Sequence, residues 1–278
     1  GATNYNPYDV VVTITAQDKQ TLTITGVTMG AASYTYGGDT VGYNNSGLNV
    51  TGVTTSTFDA TTLEYIYSGT LTDGSAFTAG TTAPTKAGSY TLTVKVPDSN
   101  ADYMGQQVIN FTIAKKDVTI TGLSAGNREY DRSTAATPTG TAVINGMVDG
   151  DDLTVDASSA SATFDNKNVG TDKTVTFTGY SLSGADAGNY NLKAQPASVT
   201  ADITAKDVTV TGITAISRPY AKDNLEVDLT GGTVSGMISG DTVTVDLTNA
   251  KGMMTNANAG TNKAVNITDV VLGGADKD

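Results

Sequence analysis

The chain has no cysteine, no histidine and no tryptophan, and only three of its 278 residues are glutamate: Glu64, Glu129 and Glu226. Without Cys there are no disulfides, no thiolate metal sites and no cysteine nucleophile. Without His neither a Ser-His-Asp triad nor a Cys-His pair can be built. A carboxylate pair for glycoside hydrolysis is the one hydrolytic device left, yet Glu129 falls opposite Pro219 in the internal repeat described below. No enzyme is expected. Positive charge is also scarce: 16 Lys and Arg against 28 Asp and Glu leave a net charge of −12. That balance argues against nucleic acid and against anionic membrane surfaces as partners. No apolar run approaches the ~20 residues needed to span a bilayer. The opening Gly1-Ala2-Thr3-Asn4 carries neither basic nor apolar leader character, so an export signal and a wall anchor are expected outside this stretch.

What fills the chain instead is Thr, Ser, Asn and 31 Gly. Threonine is stiff in the extended conformation and suits half-solvated strands. Runs such as Tyr90–Val96 and Thr174–Thr178 alternate apolar and polar residues, and turn signals recur at Gly37-Gly38, Asp73-Gly74, Asn145-Gly146 and Asp149-Gly150. Short alternating strands, regular turns and no helical periodicity read as an all-β protein of tandem immunoglobulin-like β-sandwich modules forming an elongated rod.

An internal repeat sets the module lengths. Lys116–Gly122 (K-D-V-T-I-T-G) returns as Lys206–Gly212 (K-D-V-T-V-T-G), an offset of 90 residues. Arg128 and Tyr130 map to Arg218 and Tyr220, Gly150-Asp151 to Gly240-Asp241, and Leu182-x-Gly184-Ala185-Asp186 to Leu272-x-Gly274-Ala275-Asp276. A looser copy of the junction runs from Val11 to Gly26. At each junction the apolar phase slips by one: Ile109, Phe111 and Ile113 are odd, Val118 and Ile120 even. Such a slip turns the buried face over, as expected where the last strand of one module runs straight into the first of the next. The expected organisation is residues 1–17 as closing strands of a preceding module, then modules at 18–114, 115–204 and 205–278, the last lacking two strands.

Residues 116–278 resemble the YDG-repeat family of bacterial surface proteins, through Tyr130-Asp131-Arg132, Ala162–Val175 and Ser181–Leu192. Arg132 stands in place of the motif's glycine, and the next copy reads Tyr220-Ala221-Lys222. The first module is similar to MBG-type bacterial immunoglobulin-like repeats, through Tyr67–Phe77 and Ala83–Val94. These resemblances imply extracellular stalk modules of surface adhesins, with no catalytic residues to carry over.

Three candidate sites follow from the residues. Tyr34, Tyr36 and Tyr43, in a Tyr-rich first module, could stack on a host glycan or anchor a host protein. Asp149, Asp151 and Asp152 could offer hard oxygen ligands to Ca²⁺, with an Asx turn as the plain alternative. Asp9, Val10, Val11, Val12, Thr13, Ile14 and Thr15 could add as a strand to the open edge of a neighbouring copy, joining copies head to tail. Tyr90 and Tyr190 each follow an Ala-Gly-x step and are expected to anchor nearby backbone as a tyrosine corner does. Lys116 and Lys206 invite comparison with lysine–asparagine cross-links; a role as linker charges is the simpler expectation.

Overall fold

The computed structural model describes residues 18–53 and 57–277. Among them the chain is all-β, interrupted by two single 3₁₀ turns at Ala60–Thr62 and Ala187–Asn189. The strands divide between two compact units. One comprises the chain up to Thr119 with Ile144–Val155 and Leu182–Ala194; the other comprises Ile120–Val143, Asp156–Ser181 and Gln195 onward. Each unit therefore holds the main sheet of one repeat and turns or strands belonging to the next.

In the first unit five strands are ordered Tyr34–Thr35, Gln106–Ala114, Gly88–Lys95, Glu64–Leu71, Ala76–Gly80. Gln106–Ala114 runs antiparallel to Gly88–Lys95, with Phe111 opposite Tyr90, and parallel to the short edge strand, with Ile113 opposite Tyr34. The period of two puts Tyr90, Leu92, Val94, Phe111 and Ile113 into a core with Leu22 and with Ile24 of the Thr23–Thr25/Asn49–Thr51 ribbon. Leu92 and Val94 are fully buried, each contributing roughly 1.5–3 kcal/mol. Phe111 stacks on Tyr90 at 5.5 Å and meets Tyr34 and Tyr67 edge-on. The Tyr90 hydroxyl donates to the Lys86 carbonyl at 2.7 Å, four residues back, as a tyrosine corner requires.

The second unit repeats the plan. Arg128–Glu129, Val199–Thr204, Gly170–Thr178, Ser161–Phe164 and Ala135–Ala136 form its five-stranded sheet, with the edge strand again parallel to the closing strand. Val175, Phe177, Ala201 and Ile203 are buried. Beyond it, Thr209–Ala215 pairs with Leu229–Ser235, and Lys251–Met254 lies between Glu226–Val227 and Val265–Thr268.

The phase slip is present in the coordinates. Phe111 and Ile113 are buried before Lys115, Val118 and Ile120 after it. A single residue, Lys115, separates Gln106–Ala114 from Lys116–Ala125. Two opening strands carry a glycine in the left-handed region, Gly122 at φ +84° and Gly212 at +74°, and Gly26 at +85° directly follows Thr23–Thr25. A Cβ on Gly122 would stand 2.3 Å from the Thr141 carbonyl oxygen, so the T-x-T-G signature marks a kink that only glycine fits.

Candidate functional site: the joint between repeats

The candidate tyrosines do not form one patch. Tyr34 is buried, its hydroxyl donating to the Gly42 carbonyl at 2.8 Å and accepting from the Ala31 N–H. Tyr43 is exposed and stacks on Tyr65 at 4.4 Å with the rings 10° from parallel. Tyr36 points elsewhere: its hydroxyl donates to Asp151 Oδ2 at 2.8 Å, 115 residues away in sequence. The acidic turn is likewise spread among protein partners. Asp151 Oδ2 also accepts from the Tyr190 hydroxyl, Asp152 accepts from the Ala185 N–H at 3.1 Å, and Asp149 is exposed. Among the described residues no group of three acidic side chains gathers where a metal ion could sit. The strand-donor segment Asp9–Thr15 lies outside the described residues.

What the structure brings together is a joint. The edge strand of the first repeat carries Tyr36 one residue past its pairing with the closing strand; the Tyr36 N–H donates to the Ala114 carbonyl at 2.9 Å. That bond aims the ring across the junction, edge-on to Tyr190 at 5.4 Å, where Val118, Leu153 and Val148 complete a small apolar cluster. The Tyr190 hydroxyl does anchor nearby backbone, accepting from the Val148 N–H at 2.9 Å, and it also donates to Asp151. Burial, followed by the bond to Asp151, pushes the Tyr190 hydroxyl up to about 12. The same causes raise Tyr36 further. Both phenols are thus held as donors.

The segment Asp186–Tyr190 seats the rest of the joint. Buried Asn189 accepts the Ala87 N–H at 3.0 Å, Thr72 donates to the Gly188 carbonyl at 2.5 Å, and Lys86 lies 3.5 Å from Asp186. Asp186 accepts the Asp152 N–H and donates its own N–H to the Asp152 carbonyl.

The second unit contains the same joint one repeat on. The Tyr130 N–H donates to the Thr204 carbonyl, and the Tyr130 hydroxyl donates to Asp241 at 3.2 Å. Asp241, the counterpart of Asp151, has a side chain 3% exposed and an ion pair with Arg132 Nε at 3.0 Å. Arg132 also donates to the Ser239 carbonyl. Thr242 and Asp276 reproduce the reciprocal bonds of Asp152 and Asp186, and Lys167 lies 3.9 Å from Asp276. Lys206 pairs with Glu129 at 2.6 Å, in keeping with a linker charge.

Sequence reasoning had singled out Tyr36 and Asp151, but for a glycan and a cation. It passed over Tyr130, Arg132 and Lys86. The signal was present: of the three aspartates in the turn only Asp151 recurs 90 residues on, and an aspartate kept while its neighbours change has a partner to keep.

Fold and site together define an all-β repeat protein whose successive repeats are fastened by a tyrosine–aspartate contact. The family model of the YDG domain matches the chain twice, over residues 114–199 and 204–278. These matches cover more than half of the chain, which therefore belongs to the YDG-domain family. No curated protein and no solved structure matches it.

Proposed function

We propose that the chain is a structural spacer: a stalk segment of an extracellular bacterial surface adhesin, built from tandem immunoglobulin-like sandwiches, the first of MBG type. The observation that carries this reading is the recurrence of the joint. Tyr36–Asp151 and Tyr130–Asp241 place equivalent side chains of one repeat on the same turn of the next. A protein that repeats the fastening between its modules, and keeps no catalytic constellation in its sequence, is suited to holding length. One residue separates the strands at the first joint and residues 205–208 separate them at the second, which leaves little hinge.

Small-angle scattering tests it. A rod of three modules would reach roughly 100 Å, whereas a compact chain of this length has a radius of gyration of about 19 Å. A value well above 19 Å is expected; a value near it refutes the spacer. A second reading, glycan or protein binding by the first repeat, is favoured by one observation, the exposed Tyr43 stacked on Tyr65. Tyr43→Ala abolishing a signal on a glycan array would establish it, and silence across the array would leave the spacer alone.

A further inference from the structure

Among the described residues two polar side chains are buried, Asn189 and Lys173. Asn189 belongs to the joint, whereas Lys173 does not. It lies on Gly170–Thr178, on the inward face that also carries Val175 and Phe177. Lysine is rarely placed so unless its charge is met. The strand is irregular just before it: the register with Val199–Thr204 shifts between Gly170 and Lys173, and Asp172 sits at φ +50°. A bulge of this kind re-aims a side chain. Here it brings the amine to the loop that leads into the strand.

Three groups of that loop are arranged around it. Lys173 Nζ donates to Asn166 Oδ1 at 2.6 Å and lies 3.0 Å from Asp165 Oδ1. Asn166 Oδ1 also accepts from the Asn168 N–H at 3.0 Å. Asp165 is fixed in turn by the Asn166 N–H, which donates to its Oδ1 at 2.8 Å. The bond from Lys173 is the main cause holding the Asp165 carboxyl below the usual carboxylate range, so it stands ionised beside the amine. A carbonyl bond adds only ~1.2 Å to the path from Nζ through Oδ1 to the carboxamide carbon of Asn166. The amine is therefore close to the ~3–3.5 Å at which a near-attack conformer reacts. An amine against a carboxamide, a carboxylate against the amine and a backbone N–H on the carbonyl oxygen are the parts of an acyl transfer.

We infer that Lys173 and Asn166 become joined through a side-chain amide bond, formed by the folded chain on itself. Asp165 takes one proton from the Lys173 ammonium. The freed nitrogen adds to the Asn166 carboxamide carbon, and the Asn168 N–H receives the negative charge that gathers on Oδ1. As the original carbon–nitrogen bond breaks, Asp165 returns its proton to the departing nitrogen. One bond forms and one breaks; the side-chain nitrogen of Asn166 leaves as ammonia and carries off, as ammonium, the proton that the new amide nitrogen sheds. No oxidant or cofactor enters. Each set of side chains reacts once, so this is maturation of the chain and not turnover of a substrate. The lysine concerned is neither of the two at the repeat starts.

The following repeat supplies the contrast. Lys263 Nζ donates to Asn256 Oδ1, and the Asn258 N–H donates to the same oxygen at 3.1 Å. At the position of Asp165, however, stands Thr255. The amine, the carboxamide and the N–H recur without the base, so Lys263 and Asn256 stay separate.

Intact-protein mass spectrometry of the full chain tests the inference. The natural chain should be lighter than its sequence by one ammonia and not by two. Tandem spectra of a tryptic digest should show residues 133–167 and 168–193 joined through Asn166 and Lys173, with no cut after Lys173. Lys173→Arg and Asn166→Ala should each restore the full mass, and Asp165→Ala should slow the loss by about a hundredfold or more. A natural chain at its full mass, a digest cut after Lys173, or a loss of ammonia that persists in Lys173→Arg overturns the cross-link. A second ammonia lost through Lys263 overturns the role of Asp165. These spectra are indifferent to elongation, so the cross-link and the spacer reading stand or fall separately.

Discussion

At the scale of single residues the joint depends on one carboxylate shared by two hydroxyls. Asp151 Oδ2 accepts from both Tyr36 and Tyr190. Asp151→Ala leaves buried Tyr190 and half-buried Tyr36 without that acceptor, and a loss of about 1–3 kcal/mol in denaturant unfolding is expected; no change in midpoint would mean that the contact is ornamental. Asp241→Ala should weaken the second joint in the same way, because it removes the acceptor shared by Tyr130 and Arg132. Alkaline pH offers an independent probe. The Tyr190 hydroxyl is raised from 10.0 to about 12 in the folded chain, so the folded state holds this proton more tightly than the unfolded state. Its stabilising share is whole below pH 10 and is lost as pH climbs from 10 through 12. Unfolding followed against pH should show that loss in the natural chain and a smaller one in Tyr190→Phe.

At the scale of elements the T-x-T-G glycine decides where an opening strand bends. Gly122→Ala must place a Cβ 2.3 Å from the Thr141 carbonyl oxygen at φ +84°. The left-handed backbone alone costs about 1–2 kcal/mol, and the collision adds to it. Gly126→Ala, whose Cβ would meet nothing nearer than Thr139 Cγ2 at 3.8 Å, should be neutral or slightly stabilising. Melting temperatures of the pair separate the two effects, and equal shifts would dismiss the kink.

Strand positions and the slip of phase at Lys115 were legible in the sequence because alternation is local. The joint was not. Tyr36 and Asp151 are 115 residues apart, and Tyr36 and Tyr130 do not share the 90-residue offset, so no spacing announced their equivalence. Tyr90 and Tyr190 show the opposite case. Ala87-Gly88-Ser89-Tyr90 and Ala187-Gly188-Asn189-Tyr190 look alike, yet the first opens a strand of the main sheet and the second pairs in parallel with an opening strand. Similar neighbours were placed in different surroundings, and the surroundings chose the hydroxyl's partner.

At the scale of the whole molecule, the direct passage from Gln106–Ala114 into Lys116–Ala125 bears on what happens when the chain is pulled. Tension entering through Lys115 reaches a strand lying lengthwise beside Gly88–Lys95, in register from Gln106–Lys95 to Ile113–Gly88. A load along that direction strains the whole ladder at once instead of peeling it bond by bond. Single-molecule stretching should therefore show high, sharp rupture peaks, and low, gradual extension would show that the ladder bears no load.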